Sequence, residues 1–268
     1  MQVRPDEPAT ATIEQAFPHW LAGDGAAPAA QAEAGALVAV FDLQDWRPFL
    51  AQAAVLVDVE ERARASRQRR QSNREALVLA YALHRLLLAR VLGCASGDVP
   101  LGRDAKGCPR LRGDRLFTSL CHAGTRVAIA VAAAGPVGVD VEPVARERDM
   151  QELAERVAHP EELRALASLP PEARSQTLLA LWVRKEALLK AAGIGLEVEM
   201  DTFVAPCGVA LPLPGDTFRG RCVEVRPLAL PGWAGAVAVP PGVSVVLAAP
   251  PGTCPRTPPM AAGPHHMR

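Results

Sequence analysis

Two short stretches of the chain carry residue types at spacings that can do chemistry. In "VGVDVE", residues 137–142, strand alternation puts Val137, Val139 and Val141 on one face and Gly138, Asp140 and Glu142 on the other. Two carboxylates that close repel each other unless a cation or a proton separates their charges. Gly138 beside them removes a side chain and leaves room for something to approach. In "LWVRKEALLK", residues 181–190, helical spacing puts Trp182, Glu186 and Lys190 at i, i+4 and i+8 along one stripe. Leu181 and Leu188 fall on the opposite stripe and can pack inward. Taken singly, each stretch also has an ordinary reading: solvated acids at a strand end, and a surface Glu–Lys helix pair contributing about 0.2–0.5 kcal/mol.

The elements that must position these residues follow from periodicity and punctuation. "GALVAVFDL" reads as a strand. Residues 74–92 place Leu77, Tyr81, Leu88 and Val91 with helical recurrence, and Gly93 stops the helix. "RLFTSLCHAGTRVAIAVAA" predicts a β-hairpin around "AGTR", and "GPVGVDVE" begins a new strand after a Gly-Pro break. Two helices follow, one before Pro160 and one from it to about Leu169. A longer helix runs from Pro171 to Ala192 and ends at Gly193, and short Pro/Gly-punctuated strands fill 201–248. This order argues for an α+β fold and against a doubly wound sheet. Residues 22–36 are small and weakly periodic, so 1–36 is expected to be a loosely ordered lead-in. The Pro-rich stretch 249–268 is expected to be a disordered tail.

Bulk properties exclude little but point in one direction. The chain has 268 residues, 49% hydrophobic, with six Phe, four Trp and one Tyr, so its core must be built mainly from Leu, Val and Ala. Lys plus Arg and Asp plus Glu both number 29, so net charge gives no hint of a nucleic-acid or membrane partner. The six cysteines, at 94, 108, 121, 207, 222 and 254, form no C-x-x-C pair and suit neither a zinc site nor a disulfide framework. The N-terminus lacks an apolar signal core, and the longest uncharged apolar run is too short to span a bilayer. A cytoplasmic protein with reduced thiols is expected. Local charge is less even: residues 62–74 hold arginines at 62, 64, 67, 69, 70 and 74. These fit a solvated basic helix, a nucleic-acid contact or a phosphate-rich ligand.

Together the two stretches resemble the signature of the Sfp-type 4′-phosphopantetheinyl transferases: Gly-x-Asp-x-Glu, some forty residues, then Trp-x-x-Lys-Glu-Ala-x-x-Lys. Gly138, Asp140 and Glu142 fill the first part, and Trp182, Lys185, Glu186, Ala187 and Lys190 the second. The resemblance runs from about 37 to 205. It includes the Arg-rich segment with the helix after it, and "AHPEEL", residues 158–163, which resembles an acidic turn between the signature parts.

The resemblance implies a pseudo-dimeric fold of two similar α+β halves, here 37–135 and 136–248, with the active site between them. It implies transfer of the phosphopantetheine arm of coenzyme A to a serine of an acyl or peptidyl carrier protein, releasing 3′,5′-ADP. Such a pyrophosphate substrate calls for Mg²⁺ with hard oxygen ligands, and Asp140, Glu142 and Glu186 would hold it. Asp140, Glu186 and Lys190 become the catalytic candidates, Glu186 as base for the carrier serine and Lys190 as partner of the leaving phosphate oxygen. Lys185 would be a phosphate contact or a structural ion pair, and Trp182 a packing residue. Arg74 best fits the family's adenine-nucleotide arginine; Arg67, Lys106 and His122 are further coenzyme-binding candidates. A monomer is the expected state, and neither nucleic acid nor membrane is an expected partner.

Two departures bear on affinity. Cys108 stands where the family often has the lysine of Gly-Lys-Pro, and Cys121 and Ala123 stand where two serines flank the histidine. Loss of a charged hydrogen bond is worth roughly 1.5–3 kcal/mol, although Lys106 and Arg110 lie nearby in sequence and can substitute. The alternative is a non-catalytic carrier-binding homologue with weakened coenzyme A binding.

Overall fold

Alternating Ala/Val strands and glycine-stopped helices set the architecture. The computed structural model describes residues 12–21, 28–113, 115–215, 218 and 220–248. Helices α1 (Ile13–Leu21) and α2 (Pro28–Ala34) precede strand β1 (Gly35–Asp42). Helices α3 (Leu43–Trp46), α4 (Leu50–Leu56) and α5 (Val59–Ser66) lead into the 22-residue α6 (Gln71–Leu92). The small hairpin β2 (Leu101–Arg103)–β3 (Pro109–Leu111) follows, then the hairpin β4 (Phe117–Ala123)–β5 (Arg126–Ala132) and strand β6 (Gly138–Pro143). Helices α7 (Glu147–Met150), α8 (Ala154–Val157) and α9 (Pro160–Ala167) lead to a second 22-residue helix, α10 (Pro171–Ala192). Strands β7 (Ala210–Pro212), β8 (Cys222–Pro227), β9 (Trp233–Val239) and β10 (Ser244–Ala248) complete the described chain. Both long helices end at a glycine in the left-handed region, Gly93 at φ 66° and Gly193 at φ 69°, where a side chain would be strained.

The α+β class expected from the sequence is the one observed. One sheet has the order β10-β1-β5-β4 and the other β6-β9-β8-β7. Helix α6 covers the first sheet through Leu79, Leu83 and Leu87 against Leu37, Ile129 and Val131. Helix α10 covers the second through Leu178, Leu181 and Leu188 against Val223, Val225 and Ala236. A third cluster joins the two sheets face to face, with Val38, Val40, Ala128 and Ala130 against Val139, Val141, Val237 and Val239. Small and β-branched residues give flat faces that close with Phe117 and Trp233 packed at their margin. No helix among the described residues is long and apolar enough to cross a membrane.

Two boundaries differ from expectation. Part of the lead-in is helical: Ile13, Phe17 and Ala32 of α1 and α2 are buried in the first core. Their few apolar side chains find tertiary partners that local periodicity does not reveal. The segment 136–248 is also not one closed unit, because β10 crosses back to pair in parallel with β1, Gly35 opposite Ser244. The Pro-rich tail from 249 lies outside the described residues.

Strand β6 is where the two sheets and α10 meet. It is an edge strand of its sheet, lying beside edge strand β4 of the other, and side chains replace the missing ladder. Val139 N–H donates to Ser119 Oγ (3.2 Å), and the Cys121 sulfur lies 3.7 Å from the Val141 carbonyl oxygen. On its opposite face β6 presents Gly138 to α10. A Cβ at Gly138 would stand 1.9 Å from the Ala187 carbonyl oxygen and 2.5 Å from the Ala191 nitrogen. Helix and strand backbones thus touch, and the room left by the missing side chain is filled by α10 itself. Gly138→Ala must push α10 away. It is expected to destabilise the protein by at least about 2 kcal/mol in urea unfolding, as overpacking against backbone does.

His84 of α6 is fully buried beneath β4. The Thr118 hydroxyl donates to the Ala130 carbonyl (3.0 Å), so His84 Nε2–H must donate to that hydroxyl (2.7 Å). Its Nδ1 is buried with no partner. Burial, with Arg103 and Arg85 adding to it, pushes the imidazole down from 6.5 to about 3. Between those values the unfolded chain binds a proton that the folded chain refuses, so this contribution to stability is complete above pH 6.5 and is lost as pH falls. Unfolding of wild type and His84→Asn at pH 7 and pH 5 isolates the group, since other titrations cancel in the difference. Wild type is expected to lose about 1–2 kcal/mol more than the variant over that interval.

Candidate active site

The acid face of β6 meets the stripe of α10 picked out in the sequence. Asp140 and Glu142 lie opposite Ala236 and Ala234 across the ladder, so neither has a bulky cross-strand neighbour. Lys190 Nζ stands 2.6 Å from Asp140 Oδ1, and the Cys121 thiol donates to the same oxygen at 3.0 Å. Asp140 is 3% exposed, and its Oδ2 is buried with no hydrogen-bond partner. Glu142 pairs with Arg146, whose guanidinium lies over the Trp182 ring, 4.3 Å from its centroid. Trp182 is therefore a platform for the arginine that holds Glu142, as well as a packing residue of the second core.

Glu186 completes the cluster. Burial pushes its carboxyl from 4.5 up to about 7; Lys190 opposes this, Asp140 and Glu142 reinforce it, and Arg146 opposes it. Glu142 is also raised, chiefly by burial, with Arg146 pulling it down and Asp140 pushing it up. Burial lowers Lys190, but Asp140, Cys121 and Glu186 outweigh it, so the ammonium is held charged well beyond the ordinary lysine range. Burial pushes the Cys121 thiol from 9.0 up to about 12, with Lys190 opposing and Asp140 adding to the rise. The thiol is thus a neutral donor to Asp140 at ordinary pH.

Among the described residues no three His, Cys, Asp or Glu side chains form a ready-made metal cage. The donor set nonetheless fits a hard divalent cation bound mainly by substrate oxygens and water. One buried carboxylate oxygen of Asp140 has no donor, and burial disfavours the charged forms of two further acids beside it. Mg²⁺ commonly binds through one or two carboxylates together with phosphate oxygens and waters.

The remaining candidates are scattered around this cluster. Lys185, five residues before Lys190, lies on the opposite side of α10 and is completely buried. Its ammonium donates to the carbonyls of Val157 (2.8 Å), Met200 (2.8 Å) and Phe203 (2.6 Å), and pairs with Glu162 at 2.5 Å. Of the two roles expected for it, the ion pair is the one observed, and the phosphate contact is corrected: no donor is left over and no phosphate can reach it. Burial lowers its pKa and Glu162 opposes the shift. The acidic turn "AHPEEL" owes its place to the same contact, since Glu162 also accepts from the backbone N–H groups of His159 and Ala205.

His122 is half-buried at the end of β4, its Nε2 3.0 Å from the Gly124 carbonyl, and burial lowers its pKa. Arg67 and Arg74 are exposed near the start of α6, with Arg74 reaching only the Gln68 carbonyl. Lys106 sits on the β2–β3 turn, paired with Glu197. Cys108 lies within the fields of Arg110, Arg103 and Lys106, and Arg64 covers the neighbouring Gly107. Burial and Asp104 nonetheless raise the thiol, and Arg110 and Lys106 are paired with Asp104 and Glu197. Sequence reasoning missed Arg146: Glu142 ends a strand and Arg146 follows the turn after Pro143, so no single periodicity pairs them. It also missed Arg85, which pairs with Asp58 and Glu61 and ties α5 to α6.

A buried carboxylate paired with a lysine and flanked by two further acids has the character of a site for phosphate chemistry. The comparisons with known proteins specify the kind. Residues 136–209, which carry β6 and α10, match the 4'-phosphopantetheinyl transferase superfamily. The chain is 35% identical over 155 residues to slr0495 of Synechocystis sp., covering 56% of this chain and 62% of that protein. It is 32% identical over 152 residues to the 4'-phosphopantetheinyl transferase HetI of Nostoc sp., covering 55% and 64%. It is 29% identical over 165 residues to the 4'-phosphopantetheinyl transferase psf-1 of Bacillus pumilus, covering 61% and 70%. These matches bear out the resemblance drawn from the two stretches; the chain spans just under two thirds of the length of the first two relatives.

The position of Lys185 gives a direct test of its role. Lys185→Ala leaves Glu162 and three carbonyls without their shared cation, and is expected to cost about 3 kcal/mol or more of stability. The loss is read as a lower midpoint in urea unfolding.

Proposed function

We propose that the protein transfers the 4′-phosphopantetheine arm of coenzyme A to a serine hydroxyl of an acyl or peptidyl carrier protein, releasing 3′,5′-ADP, with Mg²⁺ as cofactor. The observation that carries this reading is the convergence of Asp140 and Glu142 of β6 with Glu186 and Lys190 of α10 around a carboxylate oxygen that lacks a donor. Asp140, Glu142 and Glu186 would hold the cation, which when bound offsets the charge of the pyrophosphate.

The chain's own residues supply the rest. Glu186, raised to about 7, is the candidate acceptor of the carrier serine proton. The serine oxygen forms a bond to phosphorus as the bond from phosphorus to the 3′,5′-ADP oxygen breaks. Lys190, an ammonium beside Asp140, would stabilise or protonate the leaving phosphate oxygen. Arg67 and Arg74 project from the N-terminal half with fork-shaped donors suited to the nucleotide phosphate. His122 and Lys106 are further candidate contacts.

The test is the intact mass of an apo carrier protein after incubation with the protein, coenzyme A and Mg²⁺. A gain of one phosphopantetheine, abolished by EDTA and reduced at least about 100-fold in rate by Asp140→Asn, is expected. No gain on fatty-acid, polyketide or peptide carriers, from protein shown to be folded, would overturn the proposal.

A further inference from the structure

Cys121 is a residue the proposed chemistry leaves unused, and its surroundings give it a task. The pleat of β4 turns Thr118, Leu120 and His122 toward the α6 side and Ser119 and Cys121 toward β6. Cys121 is buried, and its thiol points across the seam between the sheets at Asp140 Oδ1, 3.0 Å away. Lys190 reaches the same oxygen from α10 at 2.6 Å. Two donors from two different elements therefore converge on Oδ1, while Oδ2 is buried and receives none. One donor alone lets a carboxylate rotate about its terminal bond and exchange its oxygens. A second, arriving from another direction, fixes the carboxylate plane.

We propose that Cys121 is a positioning residue, which locks the Asp140 carboxylate so that its free oxygen is presented to the divalent cation. This rests on the transferase reading for the identity of the cation's partner substrate, but not for the geometry. It reverses the expectation that cysteine here merely subtracts a coenzyme contact: the sulfur is turned away from solvent and onto a carboxylate. Ser119 provides an internal control. It bridges the same seam two residues earlier by accepting from Val139 N–H, without touching Asp140.

The experiment is a Mn²⁺ titration followed by electron paramagnetic resonance, with and without coenzyme A, on wild type, C121A, C121V, C121S and S119A. Thermal melting of each variant runs in parallel. Loss of the donor in C121A or C121V is expected to weaken Mn²⁺ binding about tenfold, as loss of an outer-shell partner does. C121S, which keeps a donor, is expected to recover most of it. S119A is expected to lower Tm and leave Mn²⁺ affinity unchanged. In the transfer assay C121A is expected to lower kcat, with the KM for coenzyme A within about twofold of wild type. Wild-type Mn²⁺ affinity in whichever donorless variant folds overturns the inference, as does an equal loss in S119A, which would make the seam alone responsible. A rise in coenzyme A KM without a metal effect overturns it in favour of direct coenzyme contact, and wild-type protein that binds no Mn²⁺ overturns it outright. If no carrier is modified but Mn²⁺ binding follows the expected order, the transferase reading falls and the positioning role stands.

Discussion

The contact between the backbone of α10 and Gly138 of β6 is the constraint on which the site depends. With helix and strand this close, residues one turn apart on α10 fall directly over alternate residues of β6. Ala187 and Ala191 bracket Gly138, and Lys190 between them arrives at Asp140. Any side chain at 138 would lift the helix and break the charge contact before it altered the chemistry. Glycine at the head of the acid motif is thus a packing requirement, and the lysine at the end of the helix motif is its consequence. The two stretches look like independent signals in the sequence; physically they are the two sides of one close approach.

That approach buries charge, and the structure resolves the cost in two ways on the same helix. Lys185 is completely buried, whereas Lys190 keeps 25% of its side chain exposed beside the acids. Lys185 faces three carbonyls and a carboxylate, a complete shell of acceptors that leaves it nothing further to bind. Lys190 faces one carboxylate oxygen and an excess of acids, a shell that is incomplete on the acid side. Glu186 and Glu142 are raised chiefly by burial, and the neighbouring carboxylates add to it against Lys190 and Arg146. An arrangement that is electrostatically satisfied is structural; one that is short of positive charge is a place for a cation.

Much of this was legible in the sequence, for reasons that differ by residue. Alternation placed Asp140 and Glu142 on one face because a pleated strand leaves no other option, and the i, i+4, i+8 stripe placed Trp182, Glu186 and Lys190 together because a helix leaves none either. Gly93 and Gly193 marked helix ends because few other residues adopt their backbone angles. The burial of Lys185 was hidden, since its partners are backbone carbonyls of Val157, Met200 and Phe203, and any sequence supplies carbonyls. The helices at 13–21 and 28–34 were missed because their order comes from tertiary burial of a few residues rather than from local pattern. The return of β10 to β1 was equally invisible: parallel pairing of strands some two hundred residues apart carries no local sign.

The seam between the sheets explains why a site should form here rather than elsewhere along β6. An edge strand buried against another edge needs its backbone groups answered, and β4 answers them with the side chains of Ser119 and Cys121 instead of a ladder. Side-chain pairing holds the strands farther apart than a ladder would, and it leaves side chains free to serve a second acceptor. Cys121 does so, meeting the Val141 carbonyl and the Asp140 carboxylate together. The group that closes the seam therefore also senses the acid that the helix contact has placed beside it. Cys121 thus belongs to the seam and to the acid cluster at once, whereas Ser119 belongs to the seam alone.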